Sequence, residues 1–233
     1  MTDPATLDAL QRVTSATLTT VLLKKGLRNV WLRGTQPFGA GVGKRVVGPA
    51  FTLRFVPARE DLATPASWSS PRSTRAAIED MAEGCVAVVD AMGVTDAGIF
   101  GDILCARMAK RGVGALVTDG VVRDGEGVIG SGLPVWCSGV AAPPSVAGLT
   151  FVDWQQPIGC GGVAVYPDDI VLADGDGAVL IPKDLVAEVA ELASEQEALE
   201  AWIMQEVESG KPLPGLYPPD AANRARYEAS RKG

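Results

Sequence analysis

The chain predicts an α/β fold, and three observations carry that expectation. Its composition is 47 % hydrophobic with 27 Gly and 16 Pro but only 6 % aromatic, which is that of a globular chain with many tight turns rather than a coiled coil or a disordered segment. The continuous apolar run CVAVVDAMG, beginning at Cys85, is of the buried-strand type. Between it and the apolar strand GALVT, beginning at Gly114, lies a helix; a strand, a helix and a strand within about 30 residues make a βαβ unit, whose strands run parallel.

Taken in order, residues 5 to 25 read as two helical pieces, with Leu7, Leu10 and Val13, then Leu18, Val21 and Leu22, at helical spacing and Gly26 as the stop. A turn-rich segment leads into KRVVGPAFTLRFVP, a strand from about Arg45 to Val56. Gly39, Gly41 and Gly43 before Lys44 do not complete a phosphate loop, which needs Gly where Phe38 stands and Ser or Thr where Arg45 stands. From Ala58 to Ser73 the chain turns rich in Pro, Ser and Arg, a long surface loop in which Arg59 and Arg72, with Arg75 just beyond, either meet an anionic substrate or are simply solvated. A helix follows over Thr74 to Ala82, ended by Gly84. The crossover helix begins near Phe100 or Gly101 and stops at Lys110-Arg111-Gly112, a cationic last turn and a glycine.

Beyond the βαβ unit, LPVWCSG and LTFVDWQQPI read as strands, and the stretch after Gly159 as three short ones: Gly162 to Tyr166, Ile170 to Ala173 and Ala178 to Ile181. Pro167-Asp168-Asp169 and Asp174-Gly175-Asp176-Gly177 supply the turns. A single long helix starts after Pro182 with Asp184 as N-cap and reaches Glu208, with Leu185, Val189, Leu192, Leu199 and Ile203 as its apolar stripe. The Pro-rich tail from Lys211 is an arm over another surface.

Several function classes are excluded. A net charge of −7 and a pI near 4.7 supply no basic footprint for a nucleic-acid partner. No apolar run approaches the roughly 18 residues of a membrane span, and MTDPATLDAL lacks a signal-peptide layout, so no membrane partner is expected and the expected location is cytoplasmic. Cys85, Cys105, Cys137 and Cys160 are far apart and read as reduced thiols. The chain has no histidine, which removes Ser-His-Asp and Cys-His systems, His-ligated zinc and the commonest general base together. Any chemistry runs on carboxylates, Lys or Arg, or metal-bound water, and hard oxygen ligands favour Mg²⁺ or Mn²⁺.

The βαβ unit locates a site. Asp102 stands at the mouth of the crossover helix, outside the carboxyl end of the first strand, and Asp119 to Asp124 leave the carboxyl end of the second, so both sets of acids share the edge where open α/β sheets bind ligands. Free N–H groups at Gly101, Asp102, Ile103 and Leu104 suit a substrate carboxylate. Arg123 can hold a carbonyl oxygen as it becomes an enolate, and Asp124 can ligate a divalent cation that polarises the same 2-oxo acid. On the residues alone this stands level with a plainer reading, in which Asp102 caps a helix and Arg123-Asp124 is a salt-bridged turn.

The string GDIL, Asp102 separated by 20 residues from Arg123-Asp124, the lead-in VTDG, KRVVGPAFT upstream and GGVAVYPDDIVLADGDGAVLIP downstream resemble the family of RraA-like proteins and class II 4-hydroxy-4-methyl-2-oxoglutarate aldolases, over roughly residues 14 to 205. The resemblance implies one RraA-like domain over 1–233, a three-layer β/β/α sandwich of the swivelling type with a long C-terminal helix and a 206–233 arm for subunit contacts, assembled as a homotrimer or homohexamer. It implies that Gly101, Asp102, Ile103 and Leu104 bind the pyruvate carboxylate and a metal-associated water, that Arg123 binds and stabilises the enolate with Asp102 catalytic beside it, and that Asp124 ligates Mg²⁺ or Mn²⁺. The implied activity is retro-aldol cleavage of a 4-hydroxy-2-oxo acid to pyruvate, with oxaloacetate decarboxylation. Other branches inhibit ribonuclease E, and a lyase or dehydratase on a sugar-derived acid is a further alternative. The loop from Leu62 to Ser73 departs from the family's Asn-containing segment, and Glu195, Glu197 and Glu200 are the candidates for an acid lent by a neighbouring subunit.

Overall fold

The structure, a computed structural model, describes residues 2–231, so Met1, Lys232 and Gly233 at the ends of the expected domain and arm lie outside the described residues. Two helices open it, α1 (Pro4–Leu10) and α2 (Ser15–Lys24), each started by a side-chain cap: Asp3 accepts from the Ala5 amide and Thr14 from that of Thr17. Gly26, left-handed at φ +86°, follows α2. The turn-rich segment after it contains two short strands that its sequence did not signal, β1 (Trp31–Leu32) and β2 (Gln36–Gly39), before the long β3 (Val46–Pro57). The chain continues through α3 (Thr74–Asp80), β4 (Val86–Asp90), α4 (Asp102–Lys110), β5 (Ala115–Thr118), α5 (Gly125–Gly130), β6 (Pro134–Cys137) and β7 (Leu149–Trp154). It closes with β8 (Ile170–Asp174), β9 (Gly177–Ile181), α6 (Val186–Glu208) and α7 (Ala221–Ser230).

Among the described residues nine strands form one sheet in the order β1-β9-β8-β3-β4-β5-β6-β2, with β7 also on β3. β3 belongs to both halves: Val46 to Pro49 pair antiparallel with β8, and Ala50 to Arg54 pair parallel with β4. β4, β5 and β6 are mutually parallel, as the βαβ reading required. Alternation along the strands then divides the interior. Val86 and Val88, Ala115 and Val117, Val171 and Ala173, and Ala178 and Leu180 point into one core between the two half-sheets. Ala87, Val89 and Leu116 point the other way, toward Ile78, Cys105, Met108 and Val128 of α3, α4 and α5. On the far side Ile170, Leu172, Val179 and Ile181 pack on α1, α2 and the start of α6. The β/β/α sandwich is thus present, and α1, α2 and α6 add a helical layer over its β8–β9 half. Trp136, fully buried, ties the two half-sheets by donating from Nε1 to the Asp174 carbonyl at 2.7 Å.

Three expectations need correction. Gly162 to Tyr166 is no strand: Gly161 and Gly162 have φ of +57° and +75°, which turns the chain in a short 3₁₀ segment and leaves only an isolated Ile158–Val165 bridge. Asp184 does not cap α6; it lies in a 3₁₀ turn, and Leu185 occupies the cap position without a side-chain bond. The apolar stripe of α6 also divides: Val186, Val189, Ala190 and Ala193 face the sheet, Leu192 is 39 % exposed, and Leu199 and Ile203 bury instead against Leu216 and Tyr227 of the folded-back arm. A helix of 23 residues, about 35 Å at 1.5 Å per residue, outruns the sheet it packs on. Among the described residues no helix is long and apolar enough to cross a membrane.

The β8–β9 turn has a structural duty. Buried Asp174 accepts from the Ser15 amide (2.8 Å), the Ser15 hydroxyl (2.7 Å) and the Asp176 amide (3.1 Å), fastening α2 to the hairpin. Asp174→Ala strands these donors and is expected to lower the unfolding free energy by about 1–3 kcal/mol. Asp176→Ala, on the same turn but exposed, is expected to stay within about 0.5 kcal/mol in the same urea titration.

Candidate functional site

Beyond the carboxyl ends of β4 and β5 the backbone keeps pairing. Ile99 donates to the Val121 carbonyl and Arg123 to the Phe100 carbonyl, both at 2.9 Å, and Val122 donates in turn to Gly139 at 3.1 Å. These bonds zip the segment entering α4 to the segment leaving β5, and so bring Asp102 to Arg123-Asp124 across the intervening chain. The approach is close enough that Gly98 has no room for a side chain: a Cβ there would lie 2.7 Å from both the Arg123 amide and Arg123 Cβ.

Gly101 caps α4 in extended conformation and Asp102 is its first residue. The amides of Gly101, Asp102 and Leu104 make no hydrogen bond among the described residues, whereas the Ile103 amide is taken by Asp102 Oδ1 at 2.7 Å. The carboxylate cradle expected over Gly101 to Leu104 therefore has three open donors, and the Ile103 side chain stands 78 % exposed beside them. Asp124 adopts the left-handed conformation, φ +52° and ψ +49°, which Asp tolerates better than most residues. That turn lays its carboxylate over Gly101, where a Cβ would be 2.6 Å from Oδ2, and sets Oδ2 3.1 Å from Arg123 Nε. Nε is buried and satisfied by no hydrogen bond, so the Arg123 guanidinium is held but not saturated. Asp102 Oδ2 sits against Gly127 of α5, 2.9 Å from the position a Cβ would take.

These groups line one cleft of about 250 Å³, whose opposite wall is Trp68, Thr74 and Arg75. Of the three arginines that the loop offered, Arg59 pairs with Asp61 at 2.7 Å and Arg72 with Asp153 at 3.4 Å. Only Arg75 enters this cleft, its guanidinium 5.1 Å over the Trp68 ring and in no ion pair among the described residues. Of the glutamates, Glu197 is committed within its own chain, accepting from the Thr14 amide and hydroxyl at 2.7 and 2.8 Å, and Glu200 accepts from Gln196. Asp119, from the lead-in VTDG, is buried and accepts from the Ala91, Gly93 and Gly161 amides at 2.9, 3.1 and 3.0 Å; burial raises its pKa against those three bonds. It pins loops rather than facing the Arg123 cleft. Burial likewise pushes the Cys105 thiol up to about 12 and Cys85 to about 11, so neither is poised as a thiolate.

Sequence reasoning missed Gly98, Trp68, Ser145 and α5. An isolated glycine in an extended apolar stretch signals close backbone approach, so Gly98 was readable in principle. The Trp68–Arg75 contact and the place of Ser145 depend on long-range packing that no local pattern encodes.

Fold and site together define an α/β protein of the RraA-like sandwich type. The chain belongs to the RraA-like family, whose Aldolase/RraA profile matches residues 10–180. It is 28 % identical to Protein DlpA of Legionella pneumophila over 73 % of this chain, though that match spans only 27 % of the relative. It is 30 % identical to a putative 4-hydroxy-4-methyl-2-oxoglutarate aldolase of Halalkalibacterium halodurans, over 66 % of this chain and 68 % of that one. Among solved structures, Streptomyces coelicolor RraAS2, described as an unusual member of the RNase ES inhibitor RraA protein family, superposes with a TM-score of 0.77 at 35 % identity over 86 % of this chain and 96 % of its own.

Because Gly98 sets the spacing of the two site segments, Gly98→Ala is expected to cost about 1–3 kcal/mol through forced separation of the backbones. In a thermal melt that is about 2–4 °C per kcal/mol for a chain of this size. Gly130→Ala, where an added Cβ meets nothing within 4 Å, is the control and should leave the melting temperature in place.

Proposed function

We propose that this chain is a divalent-metal-dependent lyase that cleaves a 4-hydroxy-2-oxo acid by retro-aldol chemistry and releases pyruvate, with oxaloacetate decarboxylation as a side activity. The observation that carries this reading is the convergence, in one small cleft, of three open amides at the mouth of α4, an unsaturated Arg123 guanidinium and the Asp124 carboxylate. Its relatives named as putative aldolases support it.

The donor set fits Mg²⁺ or Mn²⁺. No three His, Cys, Asp or Glu side chains gather around a common point among the described residues, so the protein builds no full cage. A single half-exposed carboxylate, Asp124, is what an ion that keeps most of its waters requires. Asp124 would hold it, and bound there it would polarise the 2-oxo group as a Lewis acid. The chain's own residues do the rest. The Gly101, Asp102 and Leu104 amides bind the substrate carboxylate at the positive end of α4. As the C3–C4 bond breaks, its electron pair passes to C3 and the developing enolate oxygen is stabilised by Arg123. Asp102 takes the C4 hydroxyl proton through an intervening water, C4 becomes a carbonyl, and a proton returned to C3 completes pyruvate. In oxaloacetate the same enolate forms when carbon dioxide leaves.

We place the reaction in the cytoplasm and in a homotrimer or homohexamer, with a neighbouring subunit closing the cleft. Since Glu197 is engaged by Thr14 and Glu200 by Gln196, Glu195 is the acid a second copy is freest to lend. The likeness to RraAS2 favours a second reading, in which the chain acts by binding a ribonuclease. A pyruvate-release assay decides between them. Turnover of 4-hydroxy-2-oxo acids or oxaloacetate is expected to stop with EDTA and to return with Mg²⁺ or Mn²⁺, and Arg123→Ala to lower kcat by about 100–1000-fold. Asp124→Asn keeps a residue that tolerates the left-handed turn and is expected to raise the Mg²⁺ requirement on the order of tenfold or more. Turnover indifferent to both metal and Arg123 would sink the lyase mechanism, and no turnover with a stable ribonuclease complex would establish the second reading.

A further inference from the structure

The Arg123 cleft does not end at Trp68. A second cavity of about 530 Å³ opens beyond it, and Trp68, Thr74 and Ser145 line both, so the two spaces adjoin. This chamber is lined by rings, hydroxyls and the aliphatic side chains of Leu62, Val146 and Leu149. Phe55 and Phe151 meet edge to face at 5.2 Å on one side, and Thr64, Ser67 and Thr150 add hydroxyls, of which Ser67 already donates to the Thr64 carbonyl at 2.7 Å and Thr150 already accepts from the Arg59 amide at 2.9 Å.

Charge decides what this chamber can take. Its two charged lining residues are each cancelled by a partner: Asp61 by Arg59 at 2.7 Å and Arg72 by Asp153 at 3.4 Å. Of the three arginines in and just after the loop, the one in no ion pair among the described residues, Arg75, lines the Arg123 cleft and not the chamber. A carboxylate entering the chamber would lose its water without gaining a free cation, which is costly. Neutral hydroxyls lose nothing comparable, because the Thr64 hydroxyl can both donate and accept, Ser67 can still accept and Thr150 can still donate, while the carbon-bound hydrogens of the chain lie against the rings.

We propose that the chamber is a subsite for the distal chain of the substrate, and that the substrate is a 4-hydroxy-2-oxo acid whose chain beyond C4 is neutral and polyhydroxylated, as in an acid derived from a sugar. This rests on the pyruvoyl reading of the Arg123 cleft. The pyruvoyl head and C4 occupy the 250 Å³ cleft, and the hydroxylated chain passes Thr74 and Ser145 into the chamber. The C3–C4 bond breaks as before, the electron pair stays with the pyruvate half, and the hydroxylated half leaves as a neutral aldehyde.

The test compares three substrates with Mg²⁺ present: a six-carbon 2-oxo-3-deoxyaldonate with a neutral hydroxyl chain, 4-hydroxy-2-oxopentanoate, and the dicarboxylate 4-hydroxy-4-methyl-2-oxoglutarate. The aldonate is expected to show the highest kcat/KM by about tenfold or more. Thr64→Phe, and independently Ser67→Leu, fill the chamber and are expected to cut the ratio of kcat/KM for the aldonate over the pentanoate by about tenfold, with circular dichroism melts reporting that each variant folds. If the dicarboxylate or the pentanoate is preferred, or if both variants change all three substrates alike, the distal subsite is overturned while the pyruvoyl reading stands. If the wild type releases pyruvate from none of the three, both fall.

Discussion

The site depends on a ladder of backbone hydrogen bonds that continues where β4 and β5 have formally ended. Ile99 to Val121 and Arg123 to Phe100 are ordinary amide bonds, yet they fix the separation of Asp102 from Arg123-Asp124 and leave no freedom for it to drift. Placing functional groups on segments that are still hydrogen-bonded to the sheet gives them the rigidity of the sheet rather than of a loop. The constraint propagates to composition. Glycine is needed at 98 because the two backbones nearly touch, at 101 because the Asp124 carboxylate lies over it, and at 127 because Asp102 does. Each is an indirect cost of bringing charged side chains together over short backbone.

The same edge explains why Asp119 is buried while Asp124 is not. Three amides from Ala91, Gly93 and Gly161 converge on Asp119, so its charge is used to hold the loops that follow β4 and precede β8. A carboxylate saturated in this way has little left to offer a ligand. Asp124 makes no side-chain capping bond and is exposed on the cleft side, so its lone pairs remain available. Two aspartates five residues apart thus have opposite roles, set by how many backbone donors reach each one.

Much of the fold was legible because the signals were local. The buried-strand runs at Cys85 and Gly114, the cationic final turn of α4 and the glycine after it were all correctly placed, and the parallel pairing followed from topology. The misreadings share one cause. Gly162 to Tyr166 has strand composition but folds against Arg33, whose backbone leaves Gly161 no room for a Cβ. Leu192 fits the stripe of α6 by periodicity but lies at its margin, because Ala190 and Ala193 on either side of it make the contact with the sheet. α5 escaped notice because three of its six residues are glycine, and only its packing against α4 and β2 makes it a helix. Local pattern gives the element; distant partners decide its length and face.

The distribution of arginine charge carries the last step. Arg59, Arg72 and Arg107 each sit against a carboxylate, with Arg111 sharing Glu79 with Arg107, so their fields close over a few ångströms. Arg75 stacks on Trp68, and the buried Nε of Arg123 is left without a hydrogen bond, so these two guanidinium groups face the same cleft with positive charge uncancelled or only partly cancelled. The cleft's four charged side chains balance, Arg75 and Arg123 against Asp102 and Asp124, so in a chain of net charge −7 it repels an approaching anion less than the background does. In the proposed reaction the amides at the mouth of α4 would then fix its orientation, with the substrate carboxylate at the helix end and its reacting carbonyl at Arg123. Attraction and orientation are thereby supplied by different groups, which is why loss of Arg75 should weaken capture of the anion while loss of Arg123 should weaken the chemistry itself.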